Sequence, residues 1–80
     1  MATRANHAER KRFLMLVRQM RLDAGLRQAD LASKLGEPQS FVSRYESGER
    51  RLDVLELRQI CAVLGISLTN FIARLEGESA

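Results

Sequence analysis

The sequence has one cysteine, one proline and no tryptophan among its 80 residues. One cysteine cannot form an intrachain disulfide or a Cys-rich zinc site. No stretch approaches the roughly 18 consecutive apolar residues of a membrane-spanning helix, and the N-terminal MATRANHAERKRF lacks the apolar segment of a signal peptide. These absences exclude disulfide scaffolds and membrane spans, and a cytoplasmic protein without membrane contact is expected.

Groups that carry catalysis are equally scarce. The chain has one histidine, His7, in a polar N-terminal segment, and its one cysteine, Cys61, lies on an apolar helical stripe. The carboxylates are not clustered, so no constellation of nucleophile, base and oxyanion donor can be assembled. The sequence therefore predicts a protein that is not an enzyme. No metal, cofactor or small-molecule ligand is expected.

The chain does contain enough apolar material for one small core. Apolar residues make up 45% of it, which is too many for a disordered chain, and 80 residues allow a single domain. The net charge of +3 is unevenly distributed, because residues 1–22 hold six of the 13 basic residues and one acidic residue. Such a patch favours a polyanionic partner through counterion release, although a solvated basic face has the same composition.

Apolar residues recur at helical spacing in five segments separated by Gly or Pro. The predicted helices span about residues 8–24, 28–35, 38–47, 53–64 and 67–75. Asp53 and Glu56 form a capping-box pattern, and Ser67 is expected to cap the fifth helix. No window alternates with period two, so no strand is predicted. The domain is expected to span residues 8–77, between a flexible segment at 1–7 and a tail at 78–80.

The apolar stripes of these helices predict the core. The residues expected to face inward on the first four helices are Phe13, Val17, Met20, Leu31, Ala32, Leu35, Val42, Tyr45, Val54, Leu57, Ile60, Cys61 and Leu64. The hydroxyl of Tyr45 is expected to find a polar partner at the edge of the core. On the fifth helix, Phe71, Ile72 and Leu75 cover a broad arc. They indicate either a homodimer interface or packing across the first and fourth helices.

The segment from Gln28 to Gly48, QADLASKLGEPQSFVSRYESG, carries the most specific chemistry. It predicts two short helices joined by a tight turn, the second of which has an exposed polar face. That face carries Gln39, Ser40, Ser43 and Arg44. Amide, hydroxyl and guanidinium groups on a short helix suit base edges and phosphates in a DNA major groove, although the same groups also occur on ordinary solvated surfaces.

The longer run GLRQADLASKLGEPQSFVSRYESGERRLDVLELRQICAVLGISL resembles the phage-repressor-like, XRE-type helix-turn-helix domain. The landmarks that coincide with the family pattern are Gln28, Leu31, Ala32, Gly36, Val42, Ser43, Glu46, Gly48, Leu64 and Gly65. The resemblance covers about residues 17–75. It implies an all-α, compact five-helix, lambda-repressor-like fold, in which the second and third helices form the DNA-binding unit and the third enters the major groove.

The resemblance also implies roles for individual residues. The implied base contacts are Gln39, Ser40 and Arg44, and the implied phosphate contacts are Gln28, Arg27, Ser43, Arg50 and Arg51. Arg21 and Glu46 occupy the positions of a partly buried salt bridge between the first and third helices. The chain departs from the pattern at Arg27, where Thr is usual, at Phe41, where a small polar residue is usual, and at Glu49, where Lys is frequent.

These observations predict a transcriptional regulator, specifically a repressor, that binds double-stranded DNA as a homodimer. Each copy of the dimer would place its third helix in the major groove of one half of a palindromic site. The alternative is an antitoxin-like or other protein-interaction module that uses the same fold to bind a partner protein.

Overall fold

The computed structural model describes residues 7–77, which form five α-helices and no strand. The helices are α1 (His7–Asp23), α2 (Gln28–Leu35), α3 (Gln39–Glu46), α4 (Val54–Val63) and α5 (Leu68–Leu75). The predicted all-α, five-helix fold is confirmed, and each helix boundary lies within one residue of its expected position. Of the N-terminal segment that was predicted to be flexible, only His7 is described, and it begins α1. Residues 1–6 and 78–80 lie outside the described part.

Local chemistry sets the beginnings of three helices. At α4, Asp53 Oδ1 accepts a hydrogen bond from Glu56 N at 2.7 Å, and Glu56 Oε1 accepts one from Asp53 N at 3.0 Å. This is the predicted capping box. At α5, Ser67 Oγ accepts from Asn70 N at 3.0 Å, as predicted. At α2, Arg27 offers no acceptor, and Asp30 Oδ2 instead accepts from Arg27 N at 2.9 Å, which places a carboxylate in the positive first turn.

The five helices enclose one apolar core. Its fully buried members are Val17, Met20, Leu31, Ala32, Val42, Tyr45, Leu57, Ile60, Cys61 and Phe71. α3 packs against α2 and α1, whereas α4 packs against α2 and α5, and α5 also contacts α1. The core therefore supports α3 from two sides and leaves its third side to solvent.

One of the expected burial positions is wrong. Val54 was predicted to face inward but is exposed, because it is the first residue of α4 and the buried stripe starts one turn later at Leu57. Phe71, for which the sequence left open a dimer interface or packing across the first and fourth helices, is 2% exposed. Its ring packs edge-on against Phe13 of α1, with ring centroids 5.9 Å apart, so within the single chain Phe71 packs across α1.

The last two helices, α4 and α5, contribute several buried apolar side chains to the core. Cys61 of α4 is fully buried, with its Sγ atom 3.9 Å from Met20 Sδ, and burial raises the pKa of its thiol. Among residues 7–77, no single helix is long and apolar enough to cross a membrane. α4 and α5 reach that length only as a pair, and the chain bends by 110° between them.

Candidate nucleic-acid interface

α2 and α3 form a helix-turn-helix unit with a tight connection. Gly36 ends α2 with φ of +70°, a left-handed conformation that glycine adopts without steric cost. Glu37 N donates to Ala32 O at 2.9 Å, and α3 begins after Pro38. Val42 and Tyr45 anchor α3 in the core. The outer side of α3 carries the exposed residues Gln39, Ser40 and Arg44 and the half-buried Ser43.

A nearly buried ion pair fastens α3 to α1. Arg21 Nε donates to Glu46 Oε2 at 2.7 Å, and Arg21 Nη2 donates to Glu46 Oε1 at 2.9 Å. The two side chains are 7% and 4% exposed. Arg21 Nη1 also donates to Leu26 O at 2.8 Å, and the hydrogen bonds that Arg21 donates to Glu46 raise the pKa of Arg21. This is the pair predicted from the resemblance. All three guanidinium nitrogens of Arg21 donate and both carboxylate oxygens of Glu46 accept, so neither charge is left without partners.

The ion pair continues outward as a chain of side-chain hydrogen bonds. Gln28 Nε2 donates to Glu46 Oε1 at 3.1 Å, and Gln39 Nε2 donates to Gln28 Oε1 at 2.9 Å. We call Arg21, Glu46, Gln28 and Gln39 the polar relay. A carboxylate only accepts hydrogen bonds, so Gln28 must turn its NH₂ group to Glu46 and its carbonyl to Gln39. Gln39 is thereby oriented as well, and it keeps its own carbonyl oxygen and one N–H for a ligand.

Three of the predicted DNA-contacting arginines lie beside carboxylates. Arg50 Nη2 is 2.8 Å from Glu56 Oε2, Arg27 Nη2 is 3.0 Å from Asp30 Oδ1, and Arg44 Nε is 3.6 Å from Glu49 Oε2. Side-chain hydrogen bonding from Arg27 lowers the pKa of Asp30 to about 2, and hydrogen bonding from Arg50 lowers the pKa of Glu56. Among residues 7–77, the Arg51 guanidinium has no ion-pair partner, so its charge is uncompensated.

Phe41 and Arg50 form a contact that the sequence did not predict. The Arg50 guanidinium lies over the Phe41 ring, 4.7 Å from its centroid, which is the geometry of a cation–π interaction. The Phe41 ring in turn packs edge-on against Tyr45, 5.4 Å away. The Phe41 side chain therefore links Tyr45 of α3 to Arg50 in the segment after α3. The pattern of charges and aromatics gave no signal for this contact, because the loop between α3 and α4 creates it.

Arg18 is a second residue that sequence reasoning missed. An open cleft of about 260 Å³ is lined by Arg18, Gln28, Ser43, Glu46 and Ser47. Arg18 lies three residues before Arg21 on α1, so helical spacing puts it on the side that faces α3. This i, i+3 spacing between Arg18 and Arg21 is the sequence feature that could have identified Arg18 as part of the interface. The cleft brings together the predicted contacts Gln28 and Ser43. Separately, within residues 7–77 no group of three His, Cys, Asp or Glu side chains is placed to hold a metal ion.

Comparison with known proteins places this architecture among relatives. Residues 17–71 match a helix-turn-helix family model. An XRE-family like protein from Pseudomonas syringae pv. tomato str. DC3000 is 40% identical, with a TM-score of 0.82 over 91% of this chain and 89% of that one. The clp gene regulator ClgR from C. glutamicum superposes over the full length of both chains with a TM-score of 0.75 at 22% identity, which indicates a shared fold. No curated protein matches the sequence.

Proposed function

The chain belongs to the XRE-type helix-turn-helix family, and we propose that it is a transcriptional repressor that binds specific double-stranded DNA sites. In this proposal residues 8–77 form the DNA-binding domain, and α3 lies in the major groove. Two copies bind the two halves of a palindromic site. Repression follows because the bound dimer covers a promoter.

The observation that carries the proposal is the orientation of Gln39 by the polar relay. Gln39 sits at the first position of α3 and presents one carbonyl oxygen and one N–H to solvent. This acceptor and donor match adenine, which offers an N6–H donor and an N7 acceptor in the major groove. Because the relay fixes the side chain before DNA arrives, binding costs less conformational entropy. The preferred site should therefore contain an adenine opposite Gln39.

Arg44 and Ser40 complete the proposed base contacts. Arg44 is exposed and lies more than one turn after Gln39 on α3, so the two side chains reach different base pairs. A guanidinium donates well to the O6 and N7 atoms of guanine. Ser40 adds a short hydroxyl that can serve as donor or acceptor.

The proposed phosphate contacts surround this face. They are Gln28, Arg27, Ser43, Arg50 and Arg51, to which the cleft at the α1 side adds Arg18. Arg51 should contribute most to non-specific affinity because no carboxylate offsets its charge. Arg27 and Arg50 should contribute less, since each shares its charge with a hydrogen-bonded carboxylate.

Selection of bound duplexes from a random pool, followed by titrations of two arginine variants, tests the proposal. Arg44→Ala should weaken binding to the selected site by roughly 1–3 kcal/mol and relax base preference at one position. Arg51→Ala should weaken all sequences alike and reduce the salt slope by about one unit. A wild-type protein that enriches no sequence, or an Arg44→Ala variant with unchanged affinity and preference, would contradict it.

A further inference from the structure

A carboxylate lies beside the cation that is proposed to contact a base. Glu49 Oε2 is 3.6 Å from Arg44 Nε, and the two side chains are 64% and 57% exposed. This distance exceeds that of a hydrogen bond, so the interaction is electrostatic. All five N–H groups of Arg44 therefore remain available to a ligand, while the net charge of the pair is zero.

The turn after α3 holds the two residues in this relation. Ser47 Oγ and Arg50 N both donate to Arg44 O, at 3.0 and 3.1 Å, and Glu49 N donates to Ser47 Oγ at 3.4 Å. The backbone of Glu49 is thus tied to the last turn of α3 through Ser47. Its carboxylate stays near Arg44 because of this turn, although the ion pair itself is weak.

The carboxylate of Glu49 differs from the two that pair with Arg27 and Arg50. Asp30 accepts a backbone hydrogen bond at the start of α2, and Glu56 accepts one at the start of α4, so both stabilise helix ends. Within residues 7–77, the carboxylate of Glu49 pairs with Arg44 and accepts no hydrogen bond at a helix start. Its effect therefore falls on Arg44 and not on the fold.

The neutral pair of Arg44 and Glu49 should attract a phosphate less strongly than a lone arginine would, while its hydrogen bonding to a base is kept. A phosphate is attracted mainly by net positive charge, and a carboxylate close to it is repelled. A guanine edge is uncharged and is bound through directed N–H donors, which Arg44 keeps. We propose that Glu49 is a specificity-determining residue that acts through Arg44, because it weakens contacts of Arg44 with phosphate more than contacts with a base. This inference rests on the proposed DNA-binding function.

The test compares Glu49→Gln with wild type on two duplexes of equal length. One carries the sequence that wild type selects from a random pool, and the other is a mixed sequence without it. Glu49→Gln should bind the mixed duplex roughly fivefold more tightly, the effect of about one charge pair in water. The selected duplex should gain less than about twofold, and the salt slope on the mixed duplex should steepen by about 0.9.

Two further variants show whether the effect of Glu49→Gln depends on the position beside Arg44 or only on the loss of one negative charge. Glu76→Gln removes the same charge at the end of α5 and should leave the ratio of the two affinities unchanged. Glu49→Asp keeps the charge and should keep the ratio. All three variants should melt like wild type, because neither side chain is buried.

The outcomes distinguish this inference from the function on which it rests. If wild type selects a sequence but Glu49→Gln leaves the affinity ratio and the salt slope unchanged, the role of Glu49 is refuted while DNA binding stands. Equal effects of Glu49→Gln and Glu76→Gln refute it as well. If wild type selects no sequence, the function and the inference fail together.

Discussion

The hydroxyl of Tyr45 is a buried polar atom without a hydrogen-bond partner among residues 7–77. The sequence predicted a partner at the core edge, but the ring lies too deep, and burial raises the pKa of this hydroxyl. Desolvating an unpaired hydroxyl costs free energy that Phe would not incur. We therefore expect Tyr45→Phe to raise the free energy of unfolding by about 1 kcal/mol in urea denaturation. A loss of stability of that size would reveal a partner for the hydroxyl.

Single residues differ in how far the sequence determined their surroundings. The ion pair of Arg21 and Glu46 was predictable because the family resemblance carries it. Gln28 was predicted only as a DNA contact, yet it also links Glu46 to Gln39. That link joins α2 to both ends of α3, so it exists only once the helices are packed, and spacing along the chain gives no sign of it.

At the scale of the element, α3 is an eight-residue helix whose position depends on Glu46. Glu46→Ala would leave the Arg21 guanidinium buried without a counter-ion and Gln28 without an acceptor. We expect a loss of about 3–5 kcal/mol of stability, as for other broken buried pairs. DNA affinity should fall too, because Gln39 is no longer oriented.

Thermal melts of Glu46→Ala and Glu49→Ala, together with a DNA titration of Glu46→Ala against wild type, provide the measurement. Glu49 is the matched control because its ion pair with an arginine of the same region is exposed, and exposed pairs contribute about 1 kcal/mol or less. Equal melting temperatures for the two variants would count against an anchoring role for Glu46.

Helix ends were predictable from the sequence, whereas the inward face of α5 was not. The caps at Asp53 and Ser67 depend on residues three apart, so local chemistry decides them. Both Phe71 and Ile72 are apolar, and only packing against α1 decides which is buried. Arg12 of α1 helps to set that packing, because it donates to Arg74 O at 2.7 Å and to Leu75 O at 3.3 Å.

At the scale of the whole molecule, the described domain offers α3 as its one proposed recognition helix. Two recognition helices about 34–36 Å apart are needed to reach successive major grooves on one face of DNA. Ile72 is 37% exposed on α5, and Leu75 is half-buried nearby. With Phe71 assigned to the core, the proposed homodimer interface is reduced to Ile72 and Leu75, and the exposed Leu55 of α4 is a further candidate.

The Ile72→Glu variant tests this assembly by sedimentation at tens of micromolar. It should be a folded monomer with much weaker binding to the selected site, because a charge would be buried without a partner at the interface. Met15→Glu is the matched control, since Met15 is an exposed apolar residue on α1 and should leave assembly unchanged. A wild-type protein that stays monomeric with and without DNA would exclude the dimer.

The hydrogen bond between Gln39 and Gln28 also constrains how such a protein evolves. A duplicated copy that drifts toward a new operator by exchanging Gln39 leaves the carbonyl of Gln28 without its donor. Changes at the two positions therefore have non-additive effects on fitness, as contacting residues do on stability. We therefore expect functional exchanges at positions 28 and 39 to occur in pairs. A single exchange at either position should instead lose the hydrogen bond between the two amides and with it the orientation that Gln28 gives to Gln39.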